Sequence, residues 1–308
     1  MAQAWKCAGL RWAVGGPVLG WDGGRRSALA WGKRVAFGVA DGGVRTCVGA
    51  RGHVCPVGAV VPGRSTGARC EECARLDRAH SVAADTIADD PRPYRVYLAW
   101  FGPGLVKVGI TAVERGPARL LEQGAVCFSW LGSGPLMAAR RTEELLRAAL
   151  GVPDRVPYVE KRAVRGALPA TAAERAAETA GLHARASALG GWPESLAPEP
   201  FRGVDHVGVF GLDRPVGEVG EVDGVCRAGA AVAEVAELAP GGVVGGELVA
   251  AAGPDLHLAT EQGVVVLDTR LMTGWELVPV VGEDERVTVP VRPLRAAVRE
   301  AAVQDGLF

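Results

Sequence analysis

Residues 94–150 read YRVYLAWFGPGLVKVGITAVERGPARLLEQGAVCFSWLGSGPLMAARRTEELLRAAL, and the order of elements in this stretch decides the fold. YRVYLAWFG (94–102) concentrates β-branched and aromatic residues and predicts a strand. Pro103-Gly104 marks a turn and LVKVGIT (105–111) a second strand, so the two form a hairpin. ERGPARLLEQG (114–124) predicts a short helix stopped by Gly124, and AVCFSWLG (125–132) returns as a strand. AARRTEELLRAAL (138–150) is an amphipathic helix closed by Gly151. The order is β-β-α-β-α.

Outward from this core the text changes character on both sides. Upstream, residues 8–50 are short apolar runs cut by glycine pairs, with Asp22-Gly23-Gly24 and Asp41-Gly42-Gly43 as hairpin-turn signals. They predict a small antiparallel sheet, separated from the core by the polar stretch DDPRP (89–93). Downstream, TAAERAAETAGLHARASA (171–188) predicts a helix, with Thr171 and Glu174 spaced as a capping box. GGWPESLAPEP (190–200) is a Pro/Gly linker. Residues 201–290 are again strand-like and turn-rich and predict a second all-β module, a small barrel with Trp275 in its core, ending in a helix over 292–304. The fold class is therefore α+β in three parts: a β-rich cysteine-bearing domain (1–93), the α/β core with its following helix (94–189), and a C-terminal β-rich domain (201–308).

Cys47, Cys55, Cys70 and Cys73 lie within 27 residues, four of the seven cysteines in the chain. Cys70-Glu-Glu-Cys73 has the CxxC spacing that sets two sulfurs beside one ion, and Cys47 and Cys55 supply a second pair through a wider, glycine-rich loop. Four thiolates in a tetrahedron predict a structural zinc with no open position, with His53 as the substitute for Cys55. Cys7, Cys127 and Cys226 stand alone and are expected as buried small hydrophobes.

The hairpin carrying Tyr97 on its first strand and Lys107-Val108-Gly109 on its second, followed by an arginine, a helix, a strand and a helix with Glu143, resembles the GIY-YIG superfamily core. It is most similar to the branch in which lysine replaces the second tyrosine. The resemblance covers about 60 residues. It implies metal-dependent phosphodiester cleavage of nucleic acid by a glutamate that holds Mg²⁺ or Mn²⁺, a tyrosine that helps deprotonate water, and an arginine on the phosphoryl charge. Carried over, these roles fall to Glu143, Tyr97 and Arg115, with Lys107 in place of the second tyrosine and Lys107, Arg115 and Arg119 as phosphate contacts. Glu144 competes with Glu143, because neighbours on a helix point about 100° apart. Nucleases of this superfamily often carry a histidine one turn after the arginine; here that place is Arg119.

Charge agrees with an anionic partner without specifying one. Residues 1–93 carry 13 basic and 8 acidic side chains, 94–165 carry 11 and 6, and 166–308 carry 10 and 21. The first two segments are each net +5 and the last is net −11. Only four lysines (Lys6, Lys33, Lys107, Lys161) stand against thirty arginines, a composition of the kind a GC-rich bacterial genome encodes. No apolar run reaches the ~18 residues of a membrane span, and the N-terminus lacks the apolar core of a secretory signal, so a cytoplasmic protein is expected. No P-loop, dinucleotide fingerprint, HExxH or GxSxG occurs. Two rivals to the nuclease remain open at this level: a non-catalytic nucleic-acid-binding module, and an enzyme using the same pocket on a small anionic substrate.

Overall fold

The structure is a computed structural model that describes residues 3–13, 15–79, 90–216, 227–280 and 286–294. Cys226 and most of the helix expected over 292–304 lie outside the described residues. The chain opens with β1 (Trp5–Ala13), β2 (Gly16–Trp21), β3 (Arg26–Ala28) and β4 (Arg34–Val39), then a cysteine-bearing loop and α1 (Glu71–Ala79). The middle holds β5 (Pro93–Trp100), β6 (Val106–Ala112), α2 (Ala118–Gln123), β7 (Cys127–Pro135), α3 (Leu136–Leu150), α4 (Tyr158–Val164) and α5 (Ala172–Ser187). Then come β8 (Ala197–Pro198), β9 (Val204–Asp205), α6 (Val207–Phe210), β10 (Ala233–Val235), β11 (Val243–Ala252), β12 (Asp255–Thr260), β13 (Gly263–Asp268), α7 (Thr269–Met272), β14 (Glu276–Pro279) and β15 (Val291–Pro293).

The expected β-β-α-β-α order is present. β5 is the centre of the smaller sheet, antiparallel to β6 on one side and β7 on the other, and β8 and β9 both pair with β7. Alternation along β5 sends Tyr94, Val96 and Leu98 to a core roofed by α3 and α5, and Tyr97, Ala99 and Phe101 to the opposite face. Gly124 and Gly151 end their helices in the left-handed conformation (φ 71 and 65), and Thr171 and Glu174 form the capping box. The helix expected over 114–124 is shorter than its sequence. Val113–Arg115 is a single 3-10 turn, and Gly116-Pro117 breaks it before α2, since proline has no N–H to continue the ladder.

The larger sheet corrects the domain reading. Its ten strands run β15-β10-β13-β12-β11-β4-β14-β1-β2-β3, so strands expected in separate domains over 1–93 and 201–308 share one sheet. β4 lies between β11 and β14, and β1 pairs with β14. Among the described residues this is an open order, not a closed barrel. Asp41-Gly42-Gly43 does turn, with Gly43 donating to Ala40, but the chain then leaves for the cysteine loop, and β4 is paired from across the sequence. Residues 292 and 293, expected to start the helix over 292–304, belong instead to β15 on β10. Trp275 is buried in this sheet's core. No helix among the described residues is long and apolar enough to cross a membrane.

Two devices join the parts. The buried Arg45 guanidinium donates to the carbonyls of Thr273, Pro62, Ser65 and Arg270, and so ties the cysteine loop to the turn after α7. From α4, Arg162 reaches Glu234 (2.7 Å), Asp255 (2.6 Å) and Asp268 (2.5 Å), while Arg165 reaches Asp255 (2.6 Å). These carboxylates belong to β10, β12 and β13, so the smaller unit is bolted to the larger sheet through buried charge.

Candidate functional site

The structure brings the four clustered cysteines together. Their sulfurs all lie within 4.8 Å of one another, with Cys55 and Cys70 at 4.0 Å. A metal–sulfur distance of ~2.3 Å gives a tetrahedral edge of about 3.8 Å, so the donor set fits one ion. The wide Cys47-to-Cys55 loop folds as a tight hairpin. Ala50 and His53 exchange backbone hydrogen bonds, with Arg51 (φ 53) and Gly52 (φ 84) at the turn. Gly49 must be glycine, because a Cβ there would sit 1.8 Å from the His53 carbonyl oxygen. His53 is exposed on this turn and is not among the four donors, which corrects its role as substitute ligand.

Backbone N–H groups of Gly49 and Cys70 donate to Cys47 Sγ at 3.3 and 3.2 Å. The N–H groups of Ala59 and Val57 lower Cys55 to about 6, whereas burial and the sulfur of Cys70 push Cys73 up to about 12. Such crowded sulfurs lose all four protons only when a cation sits among them.

A second cluster forms on the Tyr97 face of the smaller sheet. Tyr97 lies across from Gly109 in the β5–β6 register, and a Cβ on Gly109 would fall 2.4 Å from the phenol oxygen. The glycine of Lys107-Val108-Gly109 therefore makes room for the ring. Gln123 Nε2 donates to the Tyr97 oxygen at 2.8 Å. Lys107, two residues before Gly109 on the same face, places Nζ 5.7 Å from the Tyr97 ring centre and donates to the Asp154 carbonyl at 2.9 Å. Arg119 stands one turn before Gln123 on α2, close enough to bias both Tyr97 and Lys107. Burial, then the charge of Arg119, lower Lys107 to about 8. Burial raises Tyr97.

Glu143 completes the cluster from α3. It is half-buried at the edge of the helix that packs on β5 and β6, and its carboxyl is raised by burial and then by Asp154, with Lys107 opposing. Arg147 pairs with Glu144 at 3.2 Å rather than with Glu143, and Glu143 has no ion pair among the described residues. Glu144 is exposed, which removes it as the competing choice.

Arg115 does not join. It is exposed on the 3-10 turn and bonded to Glu122 at 2.6 Å, so the arginine of the cluster is Arg119. Three participants escape a reading of the sequence: Gln123, Asp154 and Lys161. Gln123 follows Arg119 by four residues, the spacing that would have placed it on the same face. Lys161, as rare in this chain as Lys107, is buried with Nζ 3.8 Å from the Phe101 ring centre and donates to the Gln123 carbonyl at 3.0 Å. Cys7 and Cys127 are buried, and burial pushes each thiol up to about 11. His183, His206 and His257 are buried and each bonds a backbone carbonyl.

A family model described as "Protein of unknown function (DUF2797)" matches residues 32–277, a span that holds both clusters. No curated protein and no solved structure matches the chain. With most of its length matched, the chain belongs to the DUF2797 family.

Proposed function

We propose that the second cluster cleaves phosphodiester bonds of nucleic acid with the help of a divalent cation, and that the four cysteines hold a structural zinc. One observation carries the catalytic reading: Glu143, a half-buried carboxylate with no ion pair among the described residues, stands in the electrostatic reach of Lys107 and Asp154. A hard cation takes oxygen ligands and keeps several waters, so a single carboxylate suffices to hold it. Bound at Glu143, it would make water more acidic and neutralise developing negative charge. Arg119 presents a guanidinium to phosphate oxygens. Lys107, lowered by burial, adds a point charge and holds the Asp154 loop against β6. Tyr97, fixed by Gln123, orients the floor of the site.

The test is cleavage of labelled single- and double-stranded DNA and RNA with Mg²⁺ or Mn²⁺, wild type beside Glu143→Ala. Cleavage that falls at least about 100-fold in the variant supports the reading. Absence of cleavage by folded, metal-loaded wild type rejects it. For the zinc, purified protein should contain one equivalent per chain, and Cys70→Ser should lose it together with solubility.

A second reading rests on a different observation. Tyr97 is 1% exposed and Lys107 8%, with their polar atoms engaged by Gln123 and the Asp154 carbonyl. A site with two of its four groups so enclosed suits a module that binds nucleic acid without cutting it. Retained binding with no cleavage is its signature.

A further inference from the structure

α2, which carries Arg119 and Gln123, has only six residues. A helix leaves its last carbonyls without partners of its own. Two of those in α2 find partners in one turn of α4: Tyr158 donates its hydroxyl to the Glu122 carbonyl at 3.3 Å, and Lys161 its amine to the Gln123 carbonyl at 3.0 Å. Just past them the chain rests backbone to backbone on the larger sheet. A Cβ at Gly124 would fall 3.1 Å from the nitrogen of Gly253, in the turn between β11 and β12, and one at Gly253 would fall 3.0 Å from the Gly124 nitrogen. The position of α2 is therefore set from outside, by α4 and by that turn.

Tyr158 is held in turn from the direction of the cysteines. The Arg270 guanidinium, on α7, lies 4.1 Å from the centre of the Tyr158 ring. Arg270 is fixed twice: its side chain bonds Asp268 at 2.6 Å, and its carbonyl accepts from the buried Arg45 at 2.8 Å. Arg45 belongs to the cysteine loop. Its own carbonyl accepts from the Val61 N–H, Cys47 two residues on donates to the Ala59 carbonyl, and the Arg45 guanidinium also bonds the carbonyls of Pro62 and Ser65. Thr46 donates to the Gly274 carbonyl at 3.0 Å, and Gly274 has no room for a side chain, because a Cβ there would sit 2.4 Å from the Thr46 oxygen. An unbroken series of contacts thus runs from the Cys47 strand through Arg45, Arg270 and Tyr158 to the end of α2.

We propose that Arg45, Arg270 and Tyr158 are positioning residues through which the metal-bound cysteine loop holds α2, and with it Arg119 and Gln123, in place beside Tyr97 and Lys107. The element with two states is the loop itself, since a four-cysteine site folds around its ion and loosens without it. Loosening withdraws Pro62 and Ser65, two of the four carbonyls that satisfy the Arg45 guanidinium, and so weakens the brace on the Arg270 carbonyl. Cleavage would then need zinc at the cysteines as well as the divalent cation at Glu143. That consequence rests on the nuclease reading, whereas the hold on α2 does not.

The experiment is amide hydrogen exchange of the full chain, read by mass spectrometry over residues 118–126 with α3 as internal reference. Arg270→Met, with its zinc content unchanged, should raise exchange over 118–126 about 10-fold, and Arg270→Lys should restore most of the protection, because it returns a cation to the Tyr158 ring. Arg292→Met is the control. It takes an arginine from Glu234 in the same carboxylate network without removing the ring contact, and should leave 118–126 unchanged. Stripping zinc from the wild type with phenanthroline should raise exchange over 118–126 by a factor similar to that of Arg270→Met, and in Arg270→Met should add less than about twofold there, the non-additivity of two steps on one path. Unchanged exchange over 118–126 in Arg270→Met overturns the proposal, as does an equal rise in Arg292→Met or zinc removal that opens the cysteine loop alone. Should zinc-free protein precipitate, the three zinc-loaded variants decide. A wild type that cuts no nucleic acid overturns the nuclease reading alone, and the exchange pattern still decides how α2 is held.

Discussion

Lys161 and Arg162 are consecutive residues of α4, yet they serve two polar clusters of opposite character. At the junction, Arg162 and Arg165 meet Glu234, Asp255 and Asp268, whose side chains are nearly all inaccessible, and Arg270 and Arg292 add further bonds to Asp268 and Glu234. Each carboxylate there is engaged by arginine. On the Tyr97 side, Glu143 has no ion pair among the described residues, and Arg119 reaches a carboxylate only at 3.9 Å, from Glu122. The first arrangement closes its own charge and fixes two units in one geometry. The second leaves charge of both signs available at the surface, which is what a charged ligand needs. The contrast separates closed from open polarity without reference to residue type, since both clusters are built from Arg, Lys, Asp and Glu.

Breaking the junction should have the largest effect. Arg162→Met leaves Glu234, Asp255 and Asp268 buried with part of their charge uncompensated, and a broken buried pair costs about 3–5 kcal/mol. Urea unfolding should report a loss of that size. Adding Asp255→Leu to the same chain should deepen the loss, because the buried Arg165 then has no carboxylate partner among the described residues. A loss below about 1 kcal/mol for Arg162→Met alone would erase the distinction between the two clusters.

The surface cluster should respond in activity rather than stability. Arg119→Ala is expected to lower cleavage about 100-fold, the size of effect seen when one donor to a developing anion is removed. Arg115→Ala removes an exposed link to Glu122 and should change cleavage less than about threefold, since such pairs contribute little. Unfolding midpoints of both variants should stay near wild type. Equal activity losses at Arg115 and Arg119 would place the phosphate path on the outer side of α2 instead.

These clusters also differ in how far the sequence discloses them. The smaller sheet is contiguous, so its strands, its Gly124 and Gly151 stops and the Thr171 cap can be read locally, and with them Tyr97, Lys107 and Glu143. The four cysteines are legible for the same reason, because CxxC spacing and a short loop are local signals. The larger sheet is not. β4 pairs with β11 and β14 from more than 200 residues away, and nothing in RVAFGV names those partners. The junction inherits that opacity: Arg162 looks like one more arginine among thirty until β10, β12 and β13 arrive around it. That Arg119 faces Tyr97 and Lys107 while Arg115 turns to Glu122 follows from Gly116-Pro117 resetting the helix start, a shift of phase that composition does not reveal.

Lys161 gives the finest measure of the boundary between the clusters. Its amine is buried against Phe101 and Tyr158, and burial, reinforced by the charges of Lys107 and Arg165, lowers it from 10.5 to about 6. The folded chain therefore binds fewer protons at this site than the unfolded chain between pH 6 and about 10.5. Stability from this group is lowest below pH 6 and rises with pH across that window, with a slope of at most about 1.4 kcal/mol per pH unit. In Lys161→Met this contribution disappears, so the difference in unfolding free energy between wild type and variant should grow in favour of wild type from pH 6.5 to 9. Other titrations are common to both proteins and cancel in the difference. A flat difference would mean that Lys161 stays protonated in the fold, drawn into the carboxylates of the junction, and the line between a closed and an open cluster would then have to be moved to include it.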